Sequence, residues 1–116
     1  MRHRVKGKKL DRKKEPREAM LKNLAASIII YEKVKTTEAK AKAVRPICEK
    51  IITASIKGDL TGRRELIRRL PQPMAVKKAM EILALRYKDR RGGYLRIIKL
   101  TRRLGDNAAM AQIELV

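Results

Sequence analysis

The chain has 116 residues, 44% of them apolar, and its 31 Lys and Arg against 12 Asp and Glu leave it at +19. That length fits one domain burying roughly two-thirds of its unfolded surface, and so large a self-repelling charge implies a polyanionic partner, nucleic acid first. Tyr31, Tyr87 and Tyr94 are the only aromatic residues, Cys48 is the only cysteine, and the longest apolar run, Ala25 to Tyr31, is interrupted by Ser27, which argues against aromatic base stacking, an internal disulfide and a bilayer span.

Met1 to Lys14 holds eight basic residues and one acid, Asp11. Without apolar periodicity, and with Gly7 among the cations, residues 1–12 read as an extended basic arm ahead of a single globular body, 13–116. Pro16, Glu15 and Glu18 suit the first turn of a helix starting near Glu15, with Met20, Leu24, Ile28 and Tyr31 as its buried stripe, widened by Leu21 and Ala25. Glu32 to Thr37 reads as a short strand, and either Thr36 or Thr37 suits the cap of a second helix opening at Glu38. Ala43, Ile47, Ile51 and Ala54 form that helix's stripe as far as a Gly58 cap, with a kink expected near Lys42 to Pro46.

Thr61 is the expected cap of a third helix ending at Leu70. Pro71 and Pro73 then end that helix and begin a fourth, in which Val76, Met80, Leu83 and Tyr87 share a face. Gly92 and Gly93 break the helical pattern. Tyr94 to Leu100 and Met110 to Val116 read as strands joined by a turn at Gly105, Asp106 and Asn107. Ala111, Ile113 and Leu115 alternate cleanly, whereas adjacent Ile97 and Ile98 leave the buried face of the preceding strand open. The fold class is α+β: three to four helices packed on a small three-stranded sheet, in which the Val34 segment joins the two final strands.

Catalysis needs a nucleophile, a base and a group that orients them. The only histidine, His3, lies in the arm between Arg2 and Arg4, where a general base lacks a rigid support, so it reads as a polar RNA contact. Cys48 reads as a small buried hydrophobe with no companion ligands for zinc. The acids are scattered and read as solvated or capping groups. No enzyme activity, cofactor, metal or small-molecule substrate is expected.

The second concentration of charge, Arg86 to Arg103, again carries eight basic residues and one acid, Asp89. Arg90 and Arg91 beside Gly92 and Gly93 combine cations with a backbone that a phosphate can approach, although a tight turn would explain the glycines alone. Arg63, Arg64, Arg68 and Arg69 recur as pairs one helical turn apart with only Glu65 among them, a third candidate phosphate-facing surface. The charge pattern therefore makes candidate RNA contacts of Arg2, His3, Arg4, Lys6, Lys8, Lys9, Arg12 and Lys13 in the arm segment, Arg63 and Arg64, and Arg90, Arg91, Gly92 and Gly93. If the arm and the second cluster make about six phosphate contacts, binding should fall with salt at roughly fourth order. A DNA-compacting architectural protein is the alternative, and a cationic membrane-active peptide precursor a weaker third. No helix pair with the short turn of a helix-turn-helix reader can be identified.

The opening MRHR, the Lys35-Thr36-Thr37 and Ala39-Lys40-Ala41-Lys42 stretches, Arg91-Gly92-Gly93-Tyr94-Leu95-Arg96-Ile97 and the ending GDNAAMAQIELV resemble the bacterial large-subunit ribosomal protein family seventeen over essentially the whole length. The resemblance implies a mixed sheet covered by helices, a structural role in the cytoplasmic large subunit, and binding to its ribosomal RNA at the particle surface near the tunnel exit, beside neighbouring ribosomal proteins. It also implies that the arm and the Arg91 to Arg96 stretch carry the RNA contacts, which adds Tyr94 and Arg96 to the candidates. No membrane partner is implied.

Overall fold

The structure, a computed structural model, describes residues 14–116. Helix α1, Lys14–Tyr31, begins with Glu15 in its first turn and Pro16 beside it, where a missing N–H costs nothing. It packs against two other helices, so its buried arc is broad and centres on Ala25, Ala26, Ile28 and Ile29. Tyr31 is a correction to the expected stripe: it is 71% exposed, because the buried arc is rotated toward Ala25 and Ile29 and the helix stops there. Glu32 closes the helix in the left-handed region (φ 68°), its N–H donating to the Ile28 carbonyl at 2.8 Å.

Strand β1, Lys33–Thr37, runs straight into helix α2, Glu38–Lys57. Of the two threonines, Thr37 is the cap: its hydroxyl accepts from the Lys40 N–H at 3.3 Å. Gly58 ends the helix at φ 66°, donating to the Ser55 carbonyl. The helix continues through Pro46 as one element. It is the centre of the molecule, touching the other helices and all three strands, and the face it buries is accordingly Ala41, Val44, Cys48, Ile51, Ile52, Ala54 and Ser55. Ile47 is only partly buried against this core.

Helix α3, Leu60–Arg69, is capped by Asp59 rather than Thr61, the carboxylate accepting from the Gly62 N–H at 2.7 Å. Asp59 holds the extended backbone of a capping residue (φ −94°, ψ 178°), and that places its short side chain over the first free N–H groups. Gly62 lies against α2, where an added Cβ would stand 2.5 Å from the Ala54 carbonyl oxygen. The fourth helix, α4, spans 73–86 as an α segment Pro73–Lys78, a π turn Ala79–Leu83 and a final Ala84–Arg86 turn. Val76, Leu83 and Tyr87 enter the core as expected, joined by Ala75 and Ala79, with Met80 at its margin. The wider π turn was not foreseen.

Strands β2, Leu95–Lys99, and β3, Met110–Leu115, complete a sheet of order β1-β3-β2. Every pairing is antiparallel, which corrects the mixed sheet. β1 and β2 do run the same way, but β3 returns from β2 through a hairpin and inserts between them, so no parallel pair forms. Val34 and Ile97 both stand opposite Ile113, an apolar row on the helix-covered face. Ile98 therefore points away, and is 41% exposed.

Candidate nucleic-acid interface

Which cations can meet a phosphate depends on the carboxylates already holding them. On α3, Glu65 takes Arg68 Nη2 at 2.7 Å and Arg69 Nε at 2.6 Å, the neighbours that three- and four-residue helical spacing provides. Those two arginines hold the Glu65 carboxyl below its ordinary range. Arg63 and Arg64 are exposed, and among the described residues no carboxylate pairs with either.

The segment Arg86 to Arg103 divides the same way. Arg86 binds both oxygens of Glu32, and Lys78 Nζ reaches the same carboxylate at 3.1 Å. Hydrogen bonds from Arg86 and then Lys78 lower the Glu32 carboxyl to about 2. Arg96 Nε lies 2.6 Å from Glu114, and Arg103 grips Asp106 at 3.0 and 2.7 Å, drawing that carboxyl down to about 2. Arg90 and Arg91 are exposed, and neither has a carboxylate partner among the described residues.

The turn that carries them is open. Gly92 and Gly93 have φ of 140° and 63°, and a Cβ at either would meet nothing within 4 Å. The glycines are thus required by the backbone path, not by crowding, and the space over them is free. The N–H groups of Arg91, Gly92 and Gly93 have no acceptor among the described residues, so the turn offers donors as well as charge. It is anchored from behind. The Tyr94 N–H donates to Glu49 at 3.4 Å, and the Tyr94 hydroxyl donates to the Arg90 carbonyl at 3.1 Å.

Tyr94 itself is a correction. Its side chain is 2% exposed and its ring lies 5.3 Å from that of Tyr87, tilted by 58°, so it supports the turn from the core and cannot reach RNA. Arg96 is exposed but shared with Glu114. Arg2, His3, Arg4, Lys6, Lys8, Lys9, Arg12 and Lys13 lie outside the described residues. Sequence reasoning passed over Lys33 and Lys35, exposed on β1 opposite Glu114 and Gln112, although their alternation with Val34 is plain in KVKTT.

Cys48 is fully buried, and burial pushes its thiol up to about 12, as suits an inert core residue. Among the described residues no group of three or more His, Cys, Asp or Glu is placed to hold a metal ion, and no helix is long and apolar enough to cross a membrane.

An α+β body presenting unpaired arginines beside an open glycine turn defines a small basic scaffold of the nucleic-acid-binding kind. The family model described as "Ribosomal protein L17" matches residues 20–116, and the chain belongs to that family, whose members are structural, non-enzymatic constituents of the ribosome. It is 47% identical to the large ribosomal subunit protein bL17 of Rickettsia typhi, covering all of this chain and 85% of the relative. It is 52% identical to the bL17 of Bradyrhizobium diazoefficiens and 50% identical to that of Orientia tsutsugamushi strain Ikeda, again over the whole chain and over 84% and 80% of those proteins.

Proposed function

We propose that the chain is a structural constituent of the cytoplasmic large ribosomal subunit, held on large-subunit ribosomal RNA through Arg63 and Arg64 on α3, the Arg90 to Gly93 turn, and the cations of residues 1–12 with Lys13, beside neighbouring ribosomal proteins. The observation that carries this reading is the sorting of cations by carboxylates, which leaves Arg63, Arg64, Arg90 and Arg91 uncompensated at the surface. Neutralising phosphates with such groups releases counterions and gives binding that weakens steeply with salt. No turnover is involved. The globular body positions the arginines and residues 1–12 extend the contact.

The test is binding of the full chain and of a chain lacking residues 1–12 to purified large-subunit ribosomal RNA and to duplex DNA across a salt series. Preference for the ribosomal RNA, with weaker binding and a shallower salt slope in the truncated chain, supports the proposal. Equal affinity for DNA, or truncation without effect on either quantity, contradicts it.

A further inference from the structure

The loop joining β2 to β3 is tied to itself throughout. Leu100 N–H donates to the Met110 carbonyl, Arg103 N–H to Ala108 and Asn107 N–H to Arg103, at 2.9 to 3.0 Å. The Arg103 guanidinium clamps Asp106, whose Oδ1 also accepts from the Ala108 N–H at 3.2 Å. Arg102 Nη1 donates to the Asn107 carbonyl at 3.0 Å, and Asn107 takes up a positive φ of 56°, which asparagine tolerates better than most residues. Within this frame Leu104 is 102% exposed. It contributes nothing to the core.

Charge around the loop is uneven. Arg103 is cancelled by Asp106, whereas Lys99 and Arg102 pair with no carboxylate among the described residues. Glu38, the acid both influence at longer range, is already taken by Lys42 at 2.8 Å. The tip is therefore a fixed apolar knob with two uncompensated cations close by in the chain, and its immediate neighbours, Arg103, Gly105 and Asp106, offer no apolar companion.

We propose that the 100–109 loop is a preformed wedge for RNA, with Leu104 seated against the face of an unstacked base or an exposed sugar edge and Lys99 and Arg102 on flanking phosphates. This rests on the RNA-binding reading above and adds a contact of a different kind to it. Protein interfaces concentrate binding in clustered apolar and aromatic anchors, which this tip lacks. A lone leucine among cations suits nucleic acid, where apolar side chains wedge against bases while basic groups hold the backbone. Because the loop is already ordered, little conformational freedom is lost on docking.

The test uses the full chain carrying Leu104→Ala, Leu104→Ser or Arg102→Ala, with binding to purified large-subunit ribosomal RNA measured across a salt series. The Leu104 side chain is fully exposed, so both Leu104 variants should keep the wild-type melting temperature. The wedge predicts about a tenfold loss of affinity for Leu104→Ala with an unchanged salt slope, and a slope shallower by about 0.7 for Arg102→Ala. Wild-type affinity of both Leu104 variants for the RNA overturns the proposal; if their retention on intact large subunits nevertheless falls, the knob belongs to a protein neighbour. Failure of the RNA-binding reading is separately visible, since a chain with Arg63, Arg64, Arg90 and Arg91 all replaced by Ala would then also bind like wild type.

Discussion

Arg63 and Arg64 stand about one turn from Arg68 and Arg69 on the same helix, yet the two pairs face different surroundings. Glu65 binds both members of the second pair, while the first has no carboxylate partner among the described residues. Arg90 and Arg91 differ in the same way from Arg86, Arg96 and Arg103, which are held by Glu32, Glu114 and Asp106. A formal charge of +19 therefore overstates what can be offered to phosphate. Exposed ion pairs add little to stability, but each reduces the local field that a second anion would meet.

The largest effect should come from removing the unpaired arginines of α3 and of the glycine turn. Replacing Arg63, Arg64, Arg90 and Arg91 together with Ala should weaken binding to large-subunit ribosomal RNA by about a hundredfold and make the salt slope shallower by about three, as filter binding would show. The fold should survive, since all four side chains are exposed.

A second test moves the helix that carries both α3 pairs. In Gly62→Ala the new methyl meets the Ala54 carbonyl oxygen at 2.5 Å, and the backbone of α2 has little room to yield. Urea denaturation should show a loss of about 2 kcal/mol, because the cost of overpacking falls on the α2–α3 contact.

Paired cations should matter for stability where unpaired ones do not. Glu32 ties α4 to the α1–β1 junction through Lys78 and Arg86, and Glu32→Gln should cost about 1 kcal/mol after discounting for a partly exposed site. The sign follows from a folded carboxyl at about 2 against an ordinary 4.5. A depressed carboxyl stabilises fully above the unfolded value and loses that contribution as pH falls through the folded one. The difference between wild type and Glu32→Gln should accordingly narrow from about pH 4.5 down to pH 2, measured as urea midpoints.

The smallest effect comes from freeing the paired arginines without removing them. Glu65→Gln releases Arg68 and Arg69 and should tighten RNA binding about two- to threefold at low salt, fading as ionic strength rises.

Much of this arrangement was legible in the chain, and the parts that were not share a cause. Alternation at Ala111, Ile113 and Leu115 placed β3 and its buried face, and Gly58 marked the end of α2 through its required backbone conformation. Ile97 and Ile98 could not be told apart until Ile97 was found opposite Ile113, a fact of tertiary pairing. Helical spacing located α1 and α2 but misjudged their buried arcs, as Tyr31 and Ile47 show, because the arc depends on how many neighbours surround the helix. The mixed sheet failed for a similar reason, since strand direction alone does not say which strand lies between two others. Within the site, the pairing of Glu65 with Arg68 and Arg69 was implicit in its spacing of three and four residues. The Glu32, Lys78 and Arg86 cluster joins residues 46 and 54 positions apart, and no local signal announces it. Tyr94 shows the reverse hazard: a residue inside a basic motif proved to be the core support of that motif.

If carboxylate pairing selects the surface cations that contact RNA, as proposed, Arg63→Ala/Arg64→Ala and Arg68→Ala/Arg69→Ala should behave differently. Both double variants remove two positive charges from the same helix, so net charge cannot distinguish them. In binding to large-subunit ribosomal RNA across a salt series, the first should make the slope shallower by about 1.4, and the second should leave it nearly unchanged. Equal losses of slope in the two variants would show that pairing with Glu65 does not keep Arg68 and Arg69 from the RNA.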